Sequence, residues 1–225
     1  LKINLVSYSQ LPPESESEIA ENDLLQIVAY CARVSNPSNQ NNSETAEKLV
    51  NYLVKHQHWS PLEMVSVCME VETTRDIARQ FLRHRSFSFQ EFSQRYANPT
   101  TDLSFEVREP RMQDPKNRQN SLPMDEDEYQ KVTRAWYDKQ RHVIDAAKEA
   151  YSWAIQNGIA KEQARAVLPE GNTMSRMYVN GTLRSWIHYC QLRMGNGTQQ
   201  EHMDIARACA EVILSIFPTT QLSTL

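Results

Sequence analysis

Apolar residues along this chain recur at two spacings, and the switches between them mark out its elements. Leu1 to Tyr8 alternates apolar with polar side chains, the period of an edge or half-buried strand. Val65, Val67, Met69 and Val71 alternate with Ser66, Cys68, Glu70 and Glu72, which predicts a second strand, and Thr173 to Asn180 reads as another. Helical spacing governs most of the rest. Asp23 is placed to cap a helix from Leu24 to about Arg33, with Leu24, Ile27, Val28 and Cys31 on one face. Ser43 can cap a second, Glu44 to His56, with Leu49, Val50, Leu53 and Val54 inward. Thr73 or Thr74 opens a third, which runs to Arg83 and packs Ile77, Ala78, Phe81 and Leu82.

A long helix begins at Met124, where acids suit the positive end of the helix dipole, and reaches about Asn157, where Gly158 offers a C-terminal cap. Its stripe of Val132, Trp136, Val143, Ile144, Ala147, Tyr151 and Ile155 predicts a core face or a subunit interface. A short helix is expected over Ala160 to Val167, ending before Pro169. Gly181-Thr182 turns into a helix from Leu183 to Arg193, and a last helix spans Gln199 to Phe217 with Ile205, Ala208, Val212, Ile213 and Ile216 inward, stopped by Pro218. Two stretches show neither period. Leu11 to Asn22 is acidic, contains Pro12-Pro13 and reads as a loop. Asn98 to Pro123, rich in Pro, Asn, Arg and Gln, reads as a mobile surface loop or a lid, with Arg118, Gln119 and Asn120 as contacts if it closes.

Composition narrows the class. At 225 residues and 40% apolar, the chain is long enough for a sizeable core and is expected to form a single domain over 1–225. The net charge of −4 argues against a general nucleic-acid binder. Cys31, Cys68, Cys190 and Cys209 are widely spaced, with no CxxC pair, so neither a zinc site nor a disulfide scaffold is indicated and a reducing, cytoplasmic setting fits. No charged-then-apolar leader and no long apolar run point to secretion or a membrane. With 5 glycines and no G-x-G-x-x-G or Walker A pattern, a nucleotide-like ligand must be held by side chains and helix ends. His56 and His58 do not make a metal site, because no cysteine or acid at suitable spacing completes the set.

Against that acidic background one segment is basic. Arg79, Arg83, His84, Arg85 and Arg95 lie within 17 positions, interleaved with Phe87, Phe89, Phe92 and Tyr96 and offset by Glu91 alone. Like charges repel, so such a cluster gains from an anionic partner. Arginine's fork of donors matches phosphate oxygens, and aromatic faces accept a stacked ring. Arg75, Arg79 and Arg83 recur every fourth residue and predict a basic row along one helix side, with Gln80 and His84 as a second polar row. After Arg85 the period becomes two, so a helix delivers the Arg-His-Arg triplet into an extended segment. This combination predicts a site for a phosphorylated, ring-containing small molecule. A solvated basic patch and a single-strand nucleic-acid module are the alternatives.

The run Arg83-His84-Arg85, seven residues, then Ser93-Gln94-Arg95 resembles the RHR-x7-S-x-R signature of the flavin-dependent thymidylate synthases, with Glu91 before the Ser. The resemblance extends to Ala32-Arg33-Val34-Ser35, to His58-Trp59-Ser60-Pro61-Leu62-Glu63, to Ala164-Arg165 followed by Leu168-Pro169, and to the segment ending in Arg193. It implies a helix-rich α+β fold with a small mixed or antiparallel sheet, assembled as a homotetramer whose sites are built from several subunits. It implies methylation of dUMP to dTMP, with methylenetetrahydrofolate as carbon donor and NADPH re-reducing FAD. A flavoprotein acting on another phosphorylated substrate, and a degenerate relative, are the rival enzyme readings.

By matching position, the resemblance assigns dUMP to Gln80, Arg83, Glu91, Ser93, Gln94, Arg95, Arg165 and Arg193. Ser93, Arg95, Gln80 and Arg165 are expected at the phosphate, and Arg193, the catalytic residue, at the uracil ring. FAD falls to Ser35, His58, Ser60, Arg83, His84, Arg85, Glu91, Thr182, Arg184 and His188. No metal and no nucleic acid are implied. Thr182 stands where many members have Asn, and Gly197 where many carry a His. Ser93 is read as a phosphate ligand and not a nucleophile, since no His is placed by sequence to activate it. No cysteine stands in a context that suggests a covalent thiolate.

Overall fold

The computed structural model describes residues 1–12 and 23–218. Most of the acidic loop expected over Leu11 to Asn22 therefore lies outside the described residues. Strand β1, Lys2–Tyr8, is at the sheet edge. Helix α1, Leu24–Ala32, is capped by the Asp23 carboxylate, which accepts from the Leu25 amide at 2.9 Å. Its buried residues are Leu24, Leu25, Val28 and Ala29, so the inward face is turned from the predicted one and Cys31 is only half-buried. Helix α2, Ala46–Lys55, starts later than expected. Ser43 does not cap it; Thr45 precedes it, and the Thr45 hydroxyl accepts instead from Arg33 Nη2 at 2.8 Å.

Strand β2, Ser66–Thr74, runs directly into helix α3, Arg75–Phe81, which ends two residues before the predicted Arg83. Strand β3 is Ser88–Glu91. The supposed loop of 98–123 is structured. It contains helix α4, Pro99–Asp102, a bridge from Phe105 to Thr173, and a hairpin of β4, Met112–Gln113, with β5, Ser121–Leu122. Short local hydrogen bonds hold the hairpin: the Asp114 carboxylate accepts from the amides of Lys116 and Asn117 and from Asn120 Nδ2. Such Asx bonding is invisible to a search for apolar period.

Helix α5, Glu126–Gln156, is capped by Asp125, whose carboxylate accepts from the Glu128 amide at 2.9 Å. Gly158 closes it with φ +76°, a left-handed backbone that favours glycine. The predicted stripe divides. Ile144, Ala147 and Tyr151 are buried, but Val132, Trp136 and Val143 face outward, 40–52% exposed. Helix α6, Lys161–Ala164, continues as a 3₁₀ turn through Val167. Strand β6, Met174–Thr182, leads into helix α7, Leu183–Arg193, and helix α8, Gln200–Ile216, follows. The inward face of α8 includes His202, Cys209 and Ala210, which the sequence reading left out.

The main sheet is antiparallel in the order β1-β2-β6-β3. One face buries Val67, Met69, Val71, Met177 and Val179 beneath the helices. The other is a polar ladder: Glu70 accepts from Asn4 at 2.9 Å and from the Tyr178 hydroxyl at 3.0 Å, and Glu72 accepts from Arg176 at 2.7 Å. A sheet with one covered face gives the strict alternation read from the sequence. Beneath it Trp186 donates its indole N–H to the Val67 carbonyl at 3.0 Å, and Phe81 stacks on Tyr189 at 4.4 Å. This is a helix-rich α+β fold with a small antiparallel sheet. No helix among the described residues is long and apolar enough to cross a membrane.

Candidate functional site

The Arg-His-Arg triplet sits where α3 stops. The His84 amide donates to the Phe81 carbonyl and the Phe87 amide to the His84 carbonyl, so two tight turns carry the chain from helix to strand. Phe81 and Phe87 anchor this junction in the core, while Arg83 and Arg85 are turned outward. Gly181 on β6 makes room for the Phe87 ring; a Cβ there would lie 2.3 Å from it. The Ser185 hydroxyl, at the start of α7, donates to the Ser86 carbonyl and ties the junction to that helix.

The predicted basic row is broken. Arg75 is 5% exposed and lies 3.6 Å from Glu91 and 3.2 Å from Glu170, and Arg79 also faces Glu170. Two of the cations thus have acidic partners within the chain. Arg83 and Arg85 have none among the described residues, so they are the guanidiniums left for an outside anion.

Arg193, at the end of α7, donates its Nε hydrogen to His84 Nε2 at 2.9 Å. An imidazole nitrogen accepts only when bare, so His84 is neutral with its proton on Nδ1. Burial, and then the Arg193 charge, push its pKa down to about 4. Among the described residues no carboxylate pairs with Arg193, and its remaining N–H groups are available. Behind it lies a run of amides. Gln80 Nε2 donates to Gln199 Oε1 at 2.8 Å, Gln199 Nε2 donates to Glu201 at 2.9 Å, and Arg111 pairs with Glu201. The His202 ring faces Gln80 Oε1 at 3.2 Å.

Ser93, Gln94 and Arg95 form a turn in which the Tyr96 amide donates to the Ser93 carbonyl. Arg95 lies 3.4 Å from Glu162, and Arg165 donates to the Glu162 carbonyl at 3.3 Å. Residues 70 positions apart are thus brought to one place by α6. Gln94 is buried and its Nε2 has no partner among the described residues. Glu91 already accepts from the Ser175 hydroxyl at 2.8 Å beside Arg75. Part of its acceptor capacity is therefore used inside the chain.

His58 and Ser60 lie exposed around a 3₁₀ turn, Ser60–Glu63, that packs on α7. Gln57 before them adopts φ +59°. Trp59 meets His188 edge-on at 4.4 Å, and Arg184 is paired with Glu63. Burial, then Arg184, lower the His188 pKa. Thr182 caps α7 by accepting from the Ser185 amide. Ser35 is exposed just beyond α1. Arg184 and His188 thus face this turn while Arg193 faces His84. Among the described residues no hydrogen bond or ion pair joins the Arg95–Arg165 group to the His84–Arg193 group.

Sequence reasoning missed Arg111, Glu162, Gln199, Glu201 and His202. Only His202 left a trace, as a polar residue at an inward position of α8. Arg118, Gln119 and Asn120 line a cleft of about 550 Å³ together with Arg111 and Gln199. A larger groove, about 850 Å³, lies elsewhere, between the end of α5 and the 3₁₀ turn after α6, and includes Trp153, Ile159 and Val167. Its lining is mostly apolar and carries none of the clustered polar groups.

A flavin dinucleotide needs cations for its diphosphate and flat groups beside its ring. The unpaired Arg83 and Arg85, and the rings of His58, Trp59 and His188, provide both chemistries, so the residues present fit such a group.

Comparison with known proteins bears on the same residues. The family model described as thymidylate synthase complementing protein matches residues 19–219. A probable flavin-dependent thymidylate synthase of Paramecium bursaria Chlorella virus 1 is 46% identical over 197 residues, covering 86% of this chain and 87% of its own. A flavin-dependent thymidylate synthase of Synechocystis sp. is 46% identical over 194 residues, covering 86% of each. Among solved structures, a UMP/dUMP methylase, PolB from Streptomyces cacaoi bound with 5-Br UMP, superposes with TM-score 0.76 at 26% identity over 96% of this chain and 90% of that one.

Proposed function

We infer that this chain, which belongs to the family of thymidylate synthase complementing proteins, the flavin-dependent thymidylate synthases, methylates dUMP to dTMP. It is a flavoenzyme, and FAD is its cofactor. Methylenetetrahydrofolate provides the carbon, and tetrahydrofolate is released. Reduced FAD, when bound, supplies the hydride that completes the new methyl group, and NADPH restores it. The protein's own work is to bind, orient and polarise.

The observation that carries the residue assignments is the Arg193–His84 contact. It fixes one edge of a guanidinium from behind and leaves the other edge to the ligand. An Arg held in that way at the uracil carbonyl and N3 edge stabilises negative charge gathering on the ring. A preorganised donor of this kind typically contributes roughly 2.7–4 kcal/mol at the transition state. Because His84 is neutral, it does not compete with Arg193 for an anion.

Arg95, Ser93 and Arg165 take the phosphate. Their support is the shared Glu162 anchor, which keeps both guanidiniums at one spot until an anion arrives. Gln80 adds a donor, and Glu91, already braced by Arg75 and Ser175, offers its remaining lone pairs to ribose hydroxyls of nucleotide or flavin. Arg83, shared with dUMP, and Arg85 take the flavin diphosphate, His84 borders the flavin from behind Arg193, and Ser35, His58, Ser60, Thr182, Arg184 and His188 line its ring and ribityl side.

The chain acts as one domain over 1–225, in the cytoplasm, and assembles as a homotetramer. Two features support the assembly. Among the described residues no hydrogen bond or ion pair joins the Arg95–Arg165 group to the Arg193 group within one chain. An apolar stripe on the outer side of α5 is exposed, with Trp153 60% and Val143 52% accessible. Facing copies bury that surface and bring the two groups together.

The deciding experiment is to purify the protein, look for bound yellow flavin, and assay dTMP formation from dUMP, methylenetetrahydrofolate and NADPH, with UMP in parallel. Colourless protein that binds no added FAD, or flavoprotein with no dTMP product, overturns the reading.

A further inference from the structure

Hydrogen-bond polarity along the amide run behind Arg193 can be assigned from one fixed end. Glu201 is that end. Burial alone would raise its pKa, but hydrogen bonds from Arg111 and Gln199 more than offset this, so it is ionised and accepts only. The group 2.9 Å from its Oε2 must then be the Gln199 amino group, because an amide oxygen there would set two acceptors against each other. Gln199 Oε1 is thereby turned to Gln80, and the group meeting it at 2.8 Å is the Gln80 amino group. Gln80 Oε1 in turn faces His202 Nδ1 at 3.2 Å, so Nδ1 carries the proton. Every donor in the run points the same way, from His202 through Gln80 and Gln199 to Glu201. His202 is 0% exposed, and its bare Nε2 has no partner among the described residues.

We propose that His202 is a positioning residue that locks the Gln80 carboxamide with its oxygen turned inward, so that position 80 offers the nucleotide a donor and never an acceptor. A primary amide has two N–H groups. Gln199 takes one; the other is the donor Gln80 has left for a ligand. Without the His202 N–H the carboxamide oxygen loses its inward partner, and the single bond to Gln199 is left to hold the orientation. The ligand atom selected is an acceptor, either a phosphate oxygen or a ring carbonyl. This inference rests on the proposed contact between Gln80 and dUMP, and it assigns His202 no contact with substrate.

Nitrogen spectra of ¹⁵N-histidine-labelled holoenzyme test the lock without turnover. The signal lost in His202→Leu should show the Nδ1–H tautomer; an Nε2–H or doubly protonated ring overturns the proposal. In steady-state assays His202→Leu should raise KM for dUMP about tenfold, with a smaller effect on kcat, the loss of about one oriented hydrogen bond. His202→Asn, whose side-chain nitrogen sits where Nδ1 does, should restore KM, and His202→Gln, with its N–H one atom farther out, should not. An unchanged KM in His202→Leu, or rescue by Gln and not by Asn, overturns it. If His202→Leu does not fold, the Asn and Gln variants decide alone. A loss of affinity for dUMP but not for deoxyuridine assigns the acceptor to the phosphate, and an equal loss for both assigns it to the ring. If Gln80→Ala leaves KM unchanged while the tautomer is as stated, the dUMP contact fails and the lock stands.

Discussion

Arg193 Nε lies 2.9 Å from His84 Nε2, so the last residue of α7 is held by the middle residue of the Arg-His-Arg triplet, 109 positions earlier. A cation supported by a neutral ring keeps its full charge for the ligand. Arg193→Ala should lower kcat about 10²- to 10³-fold while FAD stays bound, as read by turnover and by flavin absorbance of the purified protein. His84→Phe, which removes the acceptor but keeps a ring, should produce a smaller loss of kcat. Loss of flavin from Arg193→Ala with an intact fold would contradict the assignment of Arg193 to dUMP.

Acid should destabilise this fold earlier than carboxylate titration alone predicts. The pKa of His84 is pushed down to about 4 and that of His202 to about 3, by burial first and then by Arg193. In the unfolded chain both bind a proton near 6.5. Between about pH 6.5 and 4 the unfolded state therefore holds more protons, and stability falls as pH falls, by at most about 1.4 kcal/mol per unit for the buried His202 and by less for the half-buried His84, whose shift solvent screens. Below about 4 His84 also protonates in the fold, and its share of the loss levels off. Denaturant midpoints measured from pH 7 to 4.5 should show this slope, and His202→Leu should remove at least half of it. A flat profile in that window contradicts the neutral histidines.

Gly181→Ala should damage the triplet from behind. A methyl group there would sit 2.3 Å from the Phe87 ring, and Phe87 anchors the turn that carries Arg83 to Arg85. Overpacking of this kind costs about 1–3 kcal/mol. The expected outcome is a lower melting temperature together with weaker FAD retention, followed by thermal scans with and without added flavin. An unchanged protein would mean that Phe87 has room to move without disturbing the junction.

Trp153→Asp addresses the assembly. Trp153 is 60% exposed beside Ile159 and Val167, and a charge there should cost the fold little. If this face joins subunits, light scattering should show the tetramer replaced by smaller species, with activity lost in parallel. A tetramer that survives the substitution would move the interface off the end of α5.

Much of this was legible in the sequence because apolar period follows burial directly. The alternation of Val67, Met69 and Val71 reports a sheet covered on one face, and Asp23 and Gly158 mark helix ends through local backbone chemistry that needs no distant partner. The Arg-His-Arg triplet and its setting at a helix-to-strand junction were visible for the same reason. What only the tertiary structure decided is which cations are spare. Arg75 and Arg83 look alike in sequence, four residues apart on either side of Arg79. One meets Glu91 and Glu170 in the interior, and the other faces outward without an acid. The hairpin within 98–123, the shared Glu162 anchor and the donor order that ends at His202 were equally hidden. Polar contacts join residues far apart along the chain and have no period, so their partners are set by packing and cannot be read from spacing.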